Sequence, residues 1–121
     1  MLINLSNHPY EKWDEKQKNA ALNQFGAVED MPFPEIDPVA DTEVVALLAT
    51  EYLLRCKTKL AESKESNNAI HISGEPCFLF LFVTLAKKQN IPCVCSTTQR
   101  LVSNNGNIKT SVFQFVQFRK Y

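Results

Sequence analysis

Apolar residues fall along this chain in short blocks separated by turn-forming residues, and the spacing inside each block names an element. Met1 to Leu5 reads as a short strand, stopped by Ser6-Asn7-His8-Pro9. Trp13, Gln17, Ala21 and Phe25 then repeat at every fourth position, which stacks them along one row of a helix over Trp13–Phe25. Gly26 is placed to end that helix. Ala27 to Met31 reads as a second strand, and Pro32, Pro34 and Pro38 force an extended loop. Asp37-Pro38 has the form of a helix start, a capping carboxylate before a proline at the first helical position. From there a long helix is expected to about Ser63. Its stripe is Val44, Leu48, Tyr52, Cys56 and Leu60, with Val45, Ala49 and Leu53 beside it.

The second half alternates in the same way. After the polar stretch Lys64–Asn68, Ala69 to Ile72 reads as a third strand and Ser73-Gly74 punctuates it. Pro76 opens a helix to about Gln89 that is apolar nearly all round, from Cys77 to Leu85. Such a helix is expected to be packed on several sides, by the sheet and by a second subunit. Ile91 to Ser96 has the continuous apolar run of a buried parallel strand. Asn104-Asn105-Gly106-Asn107 is a turn, and Ser111 to Arg119 a final strand. Strands alternating with helices imply right-handed crossovers and a parallel sheet. The expected fold is therefore α/β: a three-layer, Rossmann-like, mostly parallel sheet with a C-terminal antiparallel strand, in the order 2-1-3-4-5. All of residues 1–121 fall in one domain on this reading, the usual size for 121 residues.

Composition narrows the functional classes. Equal numbers of basic and acidic residues (13 each) leave no net charge, which disfavours general DNA or RNA binding. The N-terminus lacks a secretory pattern, and Cys77–Leu85 is far short of the ~20 apolar residues that span a bilayer. A cytoplasmic protein with no membrane partner is the expectation. Cys56, Cys77, Cys93 and Cys95 lack the spacing and histidine partners of a zinc site, so no metal is expected and all four are read as buried free thiols. No P-loop, G-x-G-x-x-G or G-x-S-x-G motif is present, which argues against dinucleotide redox chemistry and ATP hydrolysis, and no cofactor is expected.

In open α/β sheets, ligands bind outside the carboxyl ends of the strands. The loops leaving those ends are Asn7-His8-Pro9, Pro32-Phe33-Pro34, Ser73-Gly74-Glu75 and Ser96-Thr97-Thr98-Gln99-Arg100. Together they offer hydroxyls, an amide, an imidazole and a guanidinium, a set that suits phosphate. Ser73-Gly74 opens a helix N-terminus, Thr97 and Thr98 carry donors, Arg100 can clamp an anion in bidentate fashion, and His8 is a candidate acid or base. Each also has a plain structural reading. Asn7-His8-Pro9 serves as a turn, Ser73 to Pro76 as a helix cap, Thr97-Thr98 as continued strand, and Arg100 as a solvated charge. His71, inside a strand, reads first as a satisfied core histidine, and Phe113, Phe115 and Phe118 read first as packing and second as a base-stacking platform.

The segments Leu5-Ser6-Asn7-His8-Pro9, Gly74-Glu75 before an apolar helix, Ser96-Thr97-Thr98-Gln99-Arg100 and Val112–Tyr121 together resemble small CRISPR-associated proteins of type III systems. These are stand-alone relatives of the CARF (CRISPR-associated Rossmann fold) group, which includes ring nucleases that cut cyclic oligoadenylate. The resemblance runs nearly end to end through short motifs. It implies a homodimer binding cyclic oligoadenylate, of which cyclic tetra-adenylate is the expected form, across a two-fold axis. Cleavage would be metal-independent: a ribose 2′-hydroxyl attacks the adjacent phosphorus and leaves a cyclic phosphate. On this reading Asn7 and Ser73 position ribose, and the Gly74–Glu75 backbone with Thr97, Thr98 and Arg100 holds phosphate. His8, Arg100 and Ser73 form the catalytic set, His8 as acid or base. Relatives carry more arginine in the last strand, where this chain has Gln114 and Gln117, which puts phosphate contacts from that segment in doubt. A non-cleaving sensor or sponge with the same fold, and a structural subunit of an antiviral complex, are the competing expectations.

Overall fold

The computed structural model describes all 121 residues. Its elements are β1 (Leu2–Ser6), α1 (Glu15–Phe25), β2 (Val28–Pro32), α2 (Thr42–Glu62), β3 (Ala69–Ile72), α3 (Pro76–Lys88), β4 (Cys93–Asn105) and β5 (Ile108–Lys120), with a single 3₁₀ turn at Tyr10–Lys12. They form one five-stranded sheet in the order β2-β1-β3-β4-β5. β1 pairs in parallel with β2 and β3, β3 in parallel with β4, and β4 antiparallel with β5. This is the mostly parallel, Rossmann-like α/β architecture that the alternation of elements implies.

Alternate residues of the central strands face opposite layers. Ile3, Leu5, Ile70, Ile72 and Cys93 join one core with Val45, Ala49, Leu53, Cys56 and Leu60 of α2 and Phe78, Phe82 and Ala86 of α3. Leu2, Ala69 and Val94 face the other way, onto Trp13, Ala21 and Phe25. The residues of the i, i+4 row, Trp13, Gln17, Ala21 and Phe25, are all buried, although α1 begins only after Asp14, whose carboxylate caps the Gln17 N–H at 2.7 Å. Trp13 reaches the same core from the loop before the helix.

Three expectations need correction. α2 starts at Thr42 with Asp41 as its cap, not at Asp37-Pro38. Asp37 instead accepts from the Val39 N–H at 3.0 Å, closing a turn around Pro38. A capping carboxylate followed by proline suits a tight turn as well as a helix start, because both use a side-chain oxygen on an N–H two or three residues ahead. The last two strands are longer than the apolar runs within them. β4 and β5 reach thirteen residues each and meet at the two-residue turn Gly106-Asn107, where Gly106 takes the left-handed φ of 65°. Within one chain α3 buries Phe78, Phe82 and Ala86, and Phe80 on its outer side is 71% exposed. Cys77, in its first turn, is exposed and Cys95 half-buried, so only Cys56 and Cys93 are buried thiols.

A bulge interrupts the hairpin, since Thr97 lies opposite Gln117 but Thr98 lies opposite Phe115. The extra residue on β5 turns Phe115 and Phe118, an odd number of positions apart, onto the same α1-facing side. Their rings lie 4.9 Å apart between centroids, and Phe118 packs on Trp13 and Phe25.

Candidate functional site

At the carboxyl ends of β1, β3 and β4, on the α1 side of the sheet, lies an open cleft of about 560 Å³. That volume falls within the range of small-molecule sites. Its walls carry Ser6, Asn7 and His8 after β1, Lys12, Asp14 and Gln17 from the turn and α1, and His71, Ser73 and Gly74 from the end of β3. The hairpin contributes Cys95, Ser96, Thr98, Phe113 and Phe115. Parallel strand direction is what brings these segments, far apart in the chain, to a single edge.

The floor is a chain of polar side chains running across four strands, from Asp30 on β2 to Ser96 on β4. The Asn4 amide nitrogen donates to Asp30 Oδ1 at 2.8 Å and to the His8 carbonyl at 2.9 Å. Both partners are acceptors, so the orientation of the Asn4 amide is fixed and its oxygen faces the other way. That oxygen accepts from Ser6 Oγ at 2.7 Å and from His71 Nδ1 at 2.9 Å. His71 Nε2 lies 2.7 Å from Ser96 Oγ, and that oxygen accepts from Gln17 Nε2 at 2.9 Å. Asn4, Ser6, Gln17 and His71 are buried, and no buried side-chain nitrogen or oxygen lacks a partner. A network satisfied at every member stabilises, whereas one broken member would leave a costly orphan.

Burial, with the nearby His8 adding to it, pushes the His71 imidazole from the ordinary 6.5 down to about 4. Removing the charged form from water is the dominant cause. His71 is thus a neutral, satisfied histidine, as its position inside a strand implies, and it also forms part of the cleft floor. The Trp13 indole N–H donates to the His8 carbonyl at 3.0 Å, so the main chain of the loop after β1 is held by Trp13 and Asn4 together. The His8 imidazole itself is exposed and makes no hydrogen bond within the chain.

Of the eight residues singled out from the sequence, Asn7, His8, Ser73, Gly74 and Thr98 line the cleft, and Glu75, Thr97 and Arg100 do not. Glu75 caps α3, accepting from the N–H groups of Phe78 at 2.7 Å and Cys77 at 3.1 Å. Those same bonds hold its carboxyl below the usual carboxylate range. The helix N-terminus read as a phosphate cradle is therefore already filled by its own side chain. Gly74 has a structural reason to be glycine, since a Cβ there would collide with the Phe33 ring. Thr97 exchanges hydrogen bonds with the Gln117 main chain across the hairpin. Arg100 is exposed and donates to Ser111 Oγ at 3.0 and 3.2 Å, past the cleft's edge. The Pro32-Phe33-Pro34 loop also contributes nothing to the walls, because Phe33 is buried against Phe78.

Residues of the site to which the sequence reading gave no role there are Asn4, Ser6, Lys12, Gln17 and Ser96. A signal for two of them was available. Asn4 and Ser6 alternate on one face of a strand whose other residues are all apolar, and a buried strand carries such polar positions only when they have partners. Lys12 carries the cleft's only lysine or arginine charge, and Phe113, 65% exposed, presents its ring at the rim. No cluster of three or more His, Cys, Asp or Glu side chains is assembled anywhere in the chain, and no helix is long and apolar enough to cross a membrane.

A family model described as the uncharacterized protein MJ1673 family matches residues 1–119. The chain belongs to that family. No curated protein and no solved structure matches it. In this MJ1673-family chain, the match takes in every strand that builds the cleft and all the residues that line it.

Proposed function

We propose that the cleft binds a phosphate-bearing nucleotide, and that the protein is a cytoplasmic, homodimeric ring nuclease acting on cyclic oligoadenylate. The observation that carries the reading is the convergence of Asn7, His8, Ser73, Thr98 and Lys12 around one polar cleft with the exposed Phe113 ring at its rim. Hydroxyl and amide donors and one ammonium group suit a phosphodiester, and an exposed aromatic face suits a stacked base. The choice of a cyclic oligoadenylate follows from the resemblance of the loop sequences to the CARF-related group.

In this reading the chemistry is carried by positioning. The ligand's 2′-hydroxyl gives up its proton to solvent water as its oxygen forms a bond to the adjacent phosphorus and the bond from phosphorus to the 5′ oxygen breaks. The exposed His8 imidazole supplies a proton to that leaving oxygen, and the Lys12 ammonium offsets charge on the phosphorane. Thr98 and Ser73 donate to phosphate or ribose. Arg100, Thr97 and Glu75 have no part in it, because their side chains are engaged elsewhere.

A non-cleaving sensor or sponge is favoured by one observation. The buried polar groups of the floor are committed to each other, which leaves His8 as the one imidazole free to move a proton. Incubation of purified protein with cyclic tetra-adenylate in EDTA separates the readings. Linear products ending in a 2′,3′-cyclic phosphate are expected for the nuclease. Tight binding with intact ligand selects the sensor, and the absence of both binding and cleavage refutes the nucleotide reading altogether.

A further inference from the structure

The hydrogen-bond pattern of the cleft floor leaves Ser96 with a single role toward any ligand. Asn4 has its oxygen turned to His71, so the imidazole carries its proton on Nδ1 and presents a bare lone pair at Nε2. Ser96 Oγ, 2.7 Å away, must donate its one proton there. Gln17 then meets the same oxygen with its amide N–H at 2.9 Å. One lone pair of Ser96 remains, and Ser96 lines the cleft while being only partly covered.

We infer that Ser96 is a specificity-determining residue, held as a hydrogen-bond acceptor only, and that it selects a ligand hydroxyl, the ribose 2′-hydroxyl, over a 2′-deoxy sugar. The inference rests on the nucleotide reading of the cleft given above. A serine free to rotate would accept a phosphate oxygen or a hydroxyl with equal ease. This one cannot donate to phosphate without breaking its bond to His71 and leaving a buried acceptor unpaired. A ligand hydroxyl that donates to Ser96 keeps the whole chain intact and has its own oxygen oriented by it. The lock holds throughout the neutral range, because His71 stays uncharged until near pH 4.

The test compares binding of cyclic tetra-adenylate and its fully 2′-deoxy counterpart, by calorimetry at pH 7, to the wild type, Ser96→Ala and His71→Gln. Roughly tenfold tighter binding of the ribose form is expected for the wild type, the size of one hydrogen bond at a partly exposed site. Discrimination should vanish in Ser96→Ala. It should shrink in His71→Gln, where an amide N–H can meet Ser96 and free its proton. Melting curves of both variants establish that they fold. Equal binding of the two rings by the wild type overturns the Ser96 inference and leaves the nucleotide reading standing. Binding of neither ring overturns both. Preserved discrimination in Ser96→Ala places the selectivity on another residue and refutes the inference alone.

Discussion

Acidification is the sharpest probe of the buried imidazole. The perturbation is a fall in pH from 7 to 4, and the responding group is His71, whose pKa drops from 6.5 in the unfolded chain to about 4 in the folded one. Between those values the unfolded chain binds a proton that the folded chain refuses, so stability must rise with pH across that window and fall on acidification. Above 6.5 the group costs nothing, and below about 4 the whole penalty is felt. Each pH unit in between is worth ~1.4 kcal/mol, so the full excursion comes to about 3 kcal/mol. That is a large part of the stability of an ordinary domain, roughly 5–15 kcal/mol. Urea unfolding followed by the fluorescence of the sole tryptophan, buried Trp13, measures it directly. Glu75, whose carboxyl its cap bonds hold below the usual range, also loses its charge in acid, so the decisive comparison is with His71→Gln, which keeps polar ends but does not ionise. The wild type should lose about 3 kcal/mol more than this variant between pH 7 and 4. Parallel curves for the two proteins would refute the claim that His71 is buried uncharged.

Three further outcomes follow from the packing and the site. Gly74→Ala should lower stability by about 1–3 kcal/mol through overpacking against Phe33, and an unchanged melting temperature would show that the ring is not held there. Truncating Phe78, fully buried against Phe33, Tyr52 and Phe82, should cost roughly 3–5 kcal/mol in chemical denaturation. Lys12→Ala should weaken binding of cyclic tetra-adenylate in a calorimetric titration while Arg100→Ala leaves it nearly unchanged; the reverse order would return the phosphate contact to the hairpin.

Much of the architecture was legible because periodicity is set by which faces are buried. The row from Trp13 to Phe25, the α2 residues Ala49, Leu53, Cys56 and Leu60, and the apolar run at Cys93-Val94 all report contact with a shared sheet. Boundaries were less legible where one local chemistry serves two conformations, as at Asp37-Pro38. The turn at Gly106 and the strand after it were legible, but the length of β4 past Thr98 was hidden because its residues there are exposed, and pairing of backbone groups leaves no apolar alternation to detect. The location of the cleft followed from strand direction alone. Its floor did not, because Asn4, His71, Ser96 and Gln17 lie on four separate elements, and only the folded register sets them within hydrogen-bonding distance. Arg100 was misplaced for the opposite reason: two residues of extended strand past Thr98 carry a side chain beyond the cavity rim.

The same row of side chains has a bearing on how the chain finds its register. β1, β3 and the start of β4 are short, and their apolar residues are nearly interchangeable in shape. β3 has only four residues to align by, and its register to β4 rests on Ile70 opposite Cys93 and His71 opposite Val94. Sliding β3 by one position would turn the imidazole into the layer of Phe78 and Phe82 and strand the Asn4 oxygen in a dry core. A slide of two would keep the face but part His71 from both its neighbours. Apolar burial attracts these strands to one another without saying how they line up; the polar rung from Asn4 through His71 to Ser96 is what makes a single alignment cheaper than its competitors.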